Sequence, residues 1–507
     1  MILDGNSFTL DSLREELKHP SQLSISQISK DLVRASRDVV DQVLVTGKTV
    51  YGVNTGFGRM ANQRISSDKL RQLQVNLLRS HAAGTGKFFS AKTVRLILLL
   101  KINSLLRGYS GIRLEIIEAL ILFYNNGLMP AIRERGSVGA SGDLAPLADL
   151  ALPLIGEGSF LTEDGGTFEA LDVLDSQIIS VVELKEKEGL SLINGTQVST
   201  AMAIEAILEI KDLFYTISAT GAFSTEVMLG TDTAFQEDLQ VARNQSGQLY
   251  AGKLLHALMA HSGYRDAHLE CDRVQDFYSI RCMPQVHGSF YDIILHAENI
   301  LTRESNSTTD NPVTLIDQNI IVSGGNFHAA PIAHILDYLG IALADVAAMS
   351  ERRIAAFQET SQSNLPMFLM KDAGLNSGFM IAHVSAAALT SENKNLAHPA
   401  SVDTIPTSAN QEDHVSMAPN AGHQLRQIIS NTSTIVAIEL MCAAQARDLN
   451  PQYALAQCSE EIYQLIRTQV PYLEVDGPLS MHIERISDFV TSGEISSIVK
   501  KYAGEIS

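Results

Sequence analysis

Four long apolar stretches with helical spacing constrain this chain more than anything else in it. Residues 91–107, AKTVRLILLLKINSLLR, stop at Gly108, and residues 198–229 open VSTAMAIEAILEIKDLF. Residues 331–358 begin PIAHILDYLG, with Pro331 where a first helical turn tolerates it. Residues 423–448, HQLRQIISNTSTIVAIELMCAAQARD, end before Asn450-Pro451. Helices apolar on most faces need neighbours on several sides. The pattern predicts a mainly α fold with a long central helical bundle and contacts between subunits. A strand-like run appears only near residues 178–183, IISVVE. No βαβ alternation recurs, which excludes a doubly wound sheet. Glycine-rich turns gather in the first part of the chain. This predicts a smaller mixed N-terminal region, 1–195, followed by a helical bundle and C-terminal region, 196–507.

Composition narrows the function classes. A chain of 507 residues exceeds one ordinary core. A formal charge of −19 without a long basic run argues against wrapping nucleic acid or an anionic membrane. The four cysteines, Cys271, Cys282, Cys442 and Cys458, form no C-x-x-C pair, which fits a reducing compartment. The opening MILDGNSFTLDSLREEL lacks a basic segment followed by an apolar one. No uncharged apolar run reaches the length of a membrane span by inspection. A soluble, cytoplasmic protein is expected.

Several motifs fail on spacing. VTGKT at 45–49 would be a phosphate loop only with a glycine where Gln42 stands. GTG at 84–86 lacks the third glycine of a dinucleotide fingerprint. His268-Leu269-Glu270 matches half of a zinc-deaminase signature, but no P-C-x-x-C follows. No His/Cys/Asp cluster has ligand spacing, so no metal is expected.

GSVGASGDLAPLADL at 136–150 is different. Ser141 is not in a G-x-S-x-G elbow. An Ala-Ser-Gly tripeptide can be a plain turn before a helix, or its backbone can become an electrophile. In the second case the Gly142 nitrogen attacks the Ala140 carbonyl carbon, and loss of two waters leaves a ring bearing an exocyclic methylidene. Glycine permits the close approach, alanine is small, and serine supplies the leaving hydroxyl.

This stretch resembles the signature of the ammonia-lyases that carry a methylidene-imidazolone (MIO) group. YGVNTGFG at 51–58, RSHAAGTG at 79–86, EGLSLINGTQ at 188–197, VQDFYSIRCMPQ at 274–285, NSTTDNP at 306–312, SGGNFHAAP at 323–331 and HPASVDTIPTSANQEDHVSM at 398–417 resemble the same family, in family order. Ser80-His81 and NQEDHVSM at 410–417 most resemble its histidine ammonia-lyases.

The resemblance implies a fumarase/aspartase-like helical architecture, a homotetramer with sites shared between subunits, and non-oxidative removal of ammonia from L-histidine to give trans-urocanate. It implies an MIO made from Ala140-Ser141-Gly142, with Asp143 assisting its formation and no external cofactor. Tyr51 alone reads as a core tyrosine beside a glycine turn; the resemblance implies the base for the β-proton. An ordinary tyrosine pKa near 10 would have to be lowered for that work. Tyr278 would line the other side and relay protons. Arg281, alone a surface ion-pair residue, would clamp the substrate carboxylate bidentately. Asn194 reads equally as a turn residue of Asn-Gly or as a group orienting the MIO or the substrate. His81 and Glu412, with Gln411 beside them, would recognise imidazole and ammonium. Glu412 would also serve as acid or base, and Phe327 would pack on the substrate.

Two positions depart from the histidine-lyase pattern: Ala330 stands where the family has Glu, and Phe277 where it has Pro. Both bear on substrate selectivity. An MIO-dependent aminomutase, a lyase for another aromatic amino acid, and a non-catalytic helical scaffold are the alternatives. The partner in either enzyme reading is a small amino acid, not nucleic acid or membrane.

Overall fold

The computed structural model describes residues 1–268 and 274–504. Cys271 and the Leu269-Glu270 part of the deaminase-like motif lie outside the described residues. The chain forms two compact units. The first comprises Met1–Glu205, Glu298–Leu336 and Ala400–Gly422; the second comprises Ala206–Ala297, Asp337–Pro399 and His423–Ser507. Neither is one continuous segment, so the division differs from a single cut after residue 195. The helices Gln197–Val227, Met283–Ser305, Ala330–Phe357 and Ala418–Leu449 each contain a boundary between units.

The four long apolar stretches are helical, at Ala91–Leu106, Gln197–Val227, Ala330–Phe357 and Ala418–Leu449. The first is capped by Ser90, whose hydroxyl accepts the Thr93 N–H at 3.1 Å. It ends at Arg107, before left-handed Gly108. Leu96 to Leu100 are all buried, so this helix is enclosed on every side. The last begins at Ala418 instead of 423, where the Ser416 hydroxyl accepts the Ala418 N–H at 3.4 Å. Two of these helices, Ala330–Phe357 and Ala418–Leu449, are long and apolar enough to cross a membrane by length and composition. Neither is an uncharged run: Asp337 and Asp345 interrupt the first, and Arg426 and Glu439 the second. The most apolar stretch of each is mostly buried, as in the core helices of a soluble protein.

Within the first unit, Ala91–Leu106 packs on Leu114–Asn125 and Gln27–Thr46, and Leu144–Ala151 packs on Glu188–Ile193 and Leu70–His81. Four two-stranded ribbons lie here. Ile2–Leu3 pairs in parallel with Ser24–Ile25; the antiparallel pairs are Thr85–Phe88 with Arg133–Arg135, Ser159–Leu161 with Thr167–Glu169, and Val313–Leu315 with Ile320–Val322. The expected strand-like run at 178–183 is irregular. Ile178 is 94% exposed with φ +56°, because no neighbouring strand offers it a ladder. VTGKT is a helix end: Gly47 caps Gln27–Thr46 in the left-handed conformation.

The second unit is helical among its described residues. Ser246–Leu258, Gln457–Arg467 and Ser480–Thr491 all pack on or beside Glu494–Ala503. Tyr250 and Tyr291 stack with centroids 4.1 Å apart, beside Phe214. Within it a fully buried Arg353 grips a fully buried Glu439.

Candidate active site

The Ala-Ser-Gly stretch folds as a loop before helix Leu144–Ala151. Gly142 is left-handed (φ +72°) and pairs in parallel with Gly195. The Asp143 N–H donates to Gly195 O at 2.8 Å, and the Gly195 N–H donates to Ser141 O at 3.4 Å. A Cβ on Gly142 would land on the Gly195 carbonyl. Glycine is therefore required here by both conformation and space.

Asp143 is completely buried. Its carboxylate accepts from the Ser199 N–H and hydroxyl, each at 2.8 Å, and from the Ser137 hydroxyl at 3.2 Å. Burial pushes its pKa up, against these donors. The loop is thus anchored on one side by a buried acid and on the other by backbone pairing. Ala140 and Ser141 are left half-buried. These features fit a strained backbone ring closed from Ala140, Ser141 and Gly142.

A cavity of about 970 Å³ opens beside Ser141, and all its lining residues belong to the first unit. Of the expected residues it brings together Tyr51, His81, Ser141, Asn194, Phe327, Gln411 and Glu412. The Ser141 hydroxyl donates to Glu412 Oε1 at 3.2 Å. Glu412 Oε2 accepts from Thr407 Oγ1 at 2.8 Å and Ser408 Oγ at 2.6 Å. The carboxylate is brought back onto these hydroxyls by a tight turn in which Ser408, Ala409 and Asn410 all have positive φ. Three consecutive left-handed non-glycine residues store strain, a frequent sign of a working site.

His81 ends helix Leu70–His81. Its Nδ1 lies 2.8 Å from Leu77 O. A carbonyl only accepts, so Nδ1 carries the hydrogen and Nε2 is left as an acceptor. Burial lowers the His81 pKa, which favours the neutral ring. Tyr51 Oη accepts the Gly58 N–H at 3.3 Å. Burial pushes the Tyr51 phenol above its ordinary value and the Glu412 carboxylate pushes the same way, while the Gly58 N–H pulls it down. Among the described residues the phenol is therefore shifted away from the lowered value expected of a base, with burial as the largest cause.

The Asn194 Nδ2 donates to Asn311 O at 2.5 Å and to Asp310 Oδ1 at 3.4 Å. Its amide nitrogen is held by the framework, and the side chain borders the cavity from there. Tyr278 and Arg281 are not among the lining residues. They lie in the second unit, on the short helix Tyr278–Arg281, with the guanidinium 4.6 Å over the Tyr278 ring and Tyr278 70% exposed. Of the two departures, Phe277 precedes that helix with φ −72°, an angle proline also adopts. Ala330 starts its long helix and donates its N–H to His328 Nδ1 at 3.3 Å.

A sequence profile of the aromatic amino acid lyases matches residues 8–468. The chain belongs to the aromatic amino acid lyase family. A histidine ammonia-lyase of Idiomarina loihiensis is 46% identical over 499 residues, covering 98% of each chain. The crystal structure of histidine ammonia-lyase from Trypanosoma cruzi is similar with a TM-score of 0.91 at 38% identity, covering 99% of this chain and 96% of the other. That of tyrosine aminomutase from Streptomyces globisporus is similar with a TM-score of 0.93 at 33% identity, covering 99% and 98%. The family's fold therefore does not by itself separate lyases from aminomutases.

Sequence reasoning missed several residues that hold the side chains of the candidate site. Thr407 and Ser408 hold Glu412, Ser137 and Ser199 hold Asp143, and Asp310 and Asn311 hold Asn194. Hydroxyl and amide residues of this kind carry no spacing signal. Lys101 was also missed, though a lone charge inside LILLLKINSLL was a visible sign.

Proposed function

We propose that this protein is a cytoplasmic C–N lyase that removes ammonia from L-histidine, giving trans-urocanate. The observation that carries the reading is Ser141 on a cavity shared with Tyr51, His81, Asn194, Phe327, Gln411 and Glu412. The similarity to the two histidine ammonia-lyases named above supports histidine as the substrate. Ala140, Ser141 and Gly142 would form the methylidene-imidazolone, which would supply the electrophile for the substrate amine.

The remaining work belongs to side chains. His81 Nε2 accepts an imidazole N–H, and Glu412 faces the imidazole or ammonium from the Ser141 side. Phe327 packs on the substrate ring, and Gln411 borders its entrance. Tyr51 takes the proton from Cβ. Its raised phenol pKa requires a cation to arrive with the substrate or from another copy of the chain. The exposed Tyr278 and its stacked Arg281 are the groups a neighbouring copy would bring: Arg281 to hold the carboxylate and Tyr278 to relay protons. This reading needs sites shared between copies, as in the homotetramer that the family resemblance implies.

The test is an ultraviolet assay with L-histidine for urocanate, run with intact-mass measurement on the wild type and Ser141→Ala. Urocanate from the wild type alone, together with a wild-type mass lower by two waters, is the expected result. A two-water deficit with β-histidine as product would favour the aminomutase, the reading that the structural similarity to tyrosine aminomutase also supports. Neither product nor mass deficit would leave the scaffold reading.

A further inference from the structure

We propose that Lys101 is a positioning residue for closure of the Ala140-Ser141-Gly142 ring, acting through the Asn194–Gly195 peptide on the Ser141 carbonyl. This rests on the reading above that the tripeptide cyclises. Lys101 sits within helix Ala91–Leu106 and is 1% exposed, among Leu98, Leu99, Leu100 and Ile102. Its Nζ donates to Asn194 O at 2.6 Å.

That carbonyl and the Gly195 N–H are the two ends of one peptide group. The Gly195 N–H donates to Ser141 O at 3.4 Å. The Ser141 carbonyl in turn shares a peptide group with the Gly142 nitrogen, the nucleophile of ring closure. Three groups are therefore in series, ammonium, peptide and peptide, joined by two hydrogen bonds, and each polarises the next in the same sense. A cation at the head of the series draws electron density from the Ser141 carbonyl. The Gly142 amide then gives up its proton more readily as its nitrogen attacks the Ala140 carbon.

The atoms balance. The new bond joins the Gly142 nitrogen to the Ala140 carbonyl carbon. The first water carries the Ala140 oxygen with the Gly142 and Ser141 amide protons. The second carries the Ser141 hydroxyl with the Ser141 Cα proton. No oxidant or external reagent is needed.

The surroundings hold this series in register. The Asn194 side chain is fixed by Asn311 O and Asp310, and Asp310 Oδ2 accepts from Lys187 Nζ at 3.0 Å. On the far side Gly195 O takes the Asp143 N–H at 2.8 Å. A neutral donor would satisfy the Asn194 carbonyl without the several kcal/mol that burying an ammonium costs. Burial lowers the Lys101 pKa to about 7, aided by Lys187 and opposed by Asp310 and Asp143.

The experiment follows freshly synthesised full-length protein by intact mass over time, with circular dichroism as the measure of folding. The wild type and Lys101→Met, Lys101→Arg and Lys101→Gln are compared. The wild type should lose two waters, and folded Lys101→Met should lose them about tenfold more slowly, the scale of one charge-assisted hydrogen bond. Lys101→Arg, which restores the cation, should mature faster than Lys101→Met; a merely structural lysine gives no such rescue. Maturation of Lys101→Met at the wild-type rate, or Lys101→Arg no faster than Lys101→Met, would overturn the proposal. Should Lys101→Met not fold, Lys101→Gln decides: about tenfold slowing supports the role of charge and the wild-type rate overturns it. A wild type without the two-water deficit would instead sink the cyclisation reading itself, whatever the variants do.

Discussion

Two buried ion pairs, one in each unit, are built differently. In the second unit Arg353 Nε and Nη2 grip Glu439 at 2.6 and 2.9 Å, and Nη1 donates to Ser279 O at 3.1 Å. The Ser224 and Ser350 hydroxyls donate to the same carboxylate. Both oxygens and the guanidinium fork are occupied by groups of that unit, so the pair is closed. In the first unit Lys187 meets Asp310 through a single contact of 3.0 Å. Asp310 also accepts from the Asn311 N–H and Asn194 Nδ2, so its influence passes to the backbone beside the Ser141 loop. The closed pair joins helices. The open one borders the machinery, where lysine acts as a point charge and fixes less geometry than an arginine fork. Buried charge thus joins helices in one unit and lies beside the Ser141 loop in the other.

The largest expected effect tests that division from the chemical side. Ser141→Ala should abolish the two-water loss and cut the proposed lyase activity by at least about a thousand-fold. The thermal midpoint should stay close to wild type. A stability loss as large as the activity loss would mean the first unit also uses this loop for cohesion.

Next, Arg353→Met leaves Glu439 buried and unpaired and should cost about 3–5 kcal/mol in denaturant unfolding. Its folded fraction should still lose two waters. A cost under about 1 kcal/mol would show that the closed pair is dispensable.

The buried carboxyl of Glu226, also in the second unit, gives a pH signature. Burial raises its pKa from 4.5 to about 7, against donors Ser459 and Ala456 N–H. A folded pKa above the unfolded one means its contribution is full below 4.5 and is lost as pH rises through about 7. The loss should approach about 3 kcal/mol, and Glu226→Gln should flatten it. Lys101, in the first unit, has the opposite sign. Its pKa falls from 10.5 to about 7, so its contribution is present above 10.5 and is lost as pH falls through about 7. Unfolding curves of Glu226→Gln and Lys101→Met across pH 4–9 would separate the two; slopes of the same sign would erase the contrast.

The smallest effect belongs to the cavity edge. Gln411 lines the cavity but is exposed, so Gln411→Ala should raise KM about fivefold, the value of one hydrogen bond, and leave kcat near wild type. A large drop in kcat would move Gln411 into the reacting centre.

Much of this was legible in the chain itself. Apolar spacing located four of the long helices because a helix buried on most faces is apolar along most of its length, as in LILLLKINSLL. The Ala140-Ser141-Gly142 stretch was legible through its resemblance to the family signature; by residue type alone it also reads as a turn before a helix. Boundaries such as Ala418 were not legible, since Ser416 caps that helix through a side-chain contact that no periodicity encodes.

Tertiary structure alone decided what surrounds those residues. Gly142 and Gly195 are far apart in sequence, and only folding pairs them and leaves no room for a Cβ between them. The direction of the Tyr51 shift depends on burial and on Glu412, neither of which a tyrosine in YGVNTGFG reveals. The assembly of Tyr51, His81, Ser141 and Glu412 around one cavity joins segments from across the chain. Sequence sets the reactivity each residue can have; solvent exclusion and neighbouring charge, which exist only after folding, set which form of it is present.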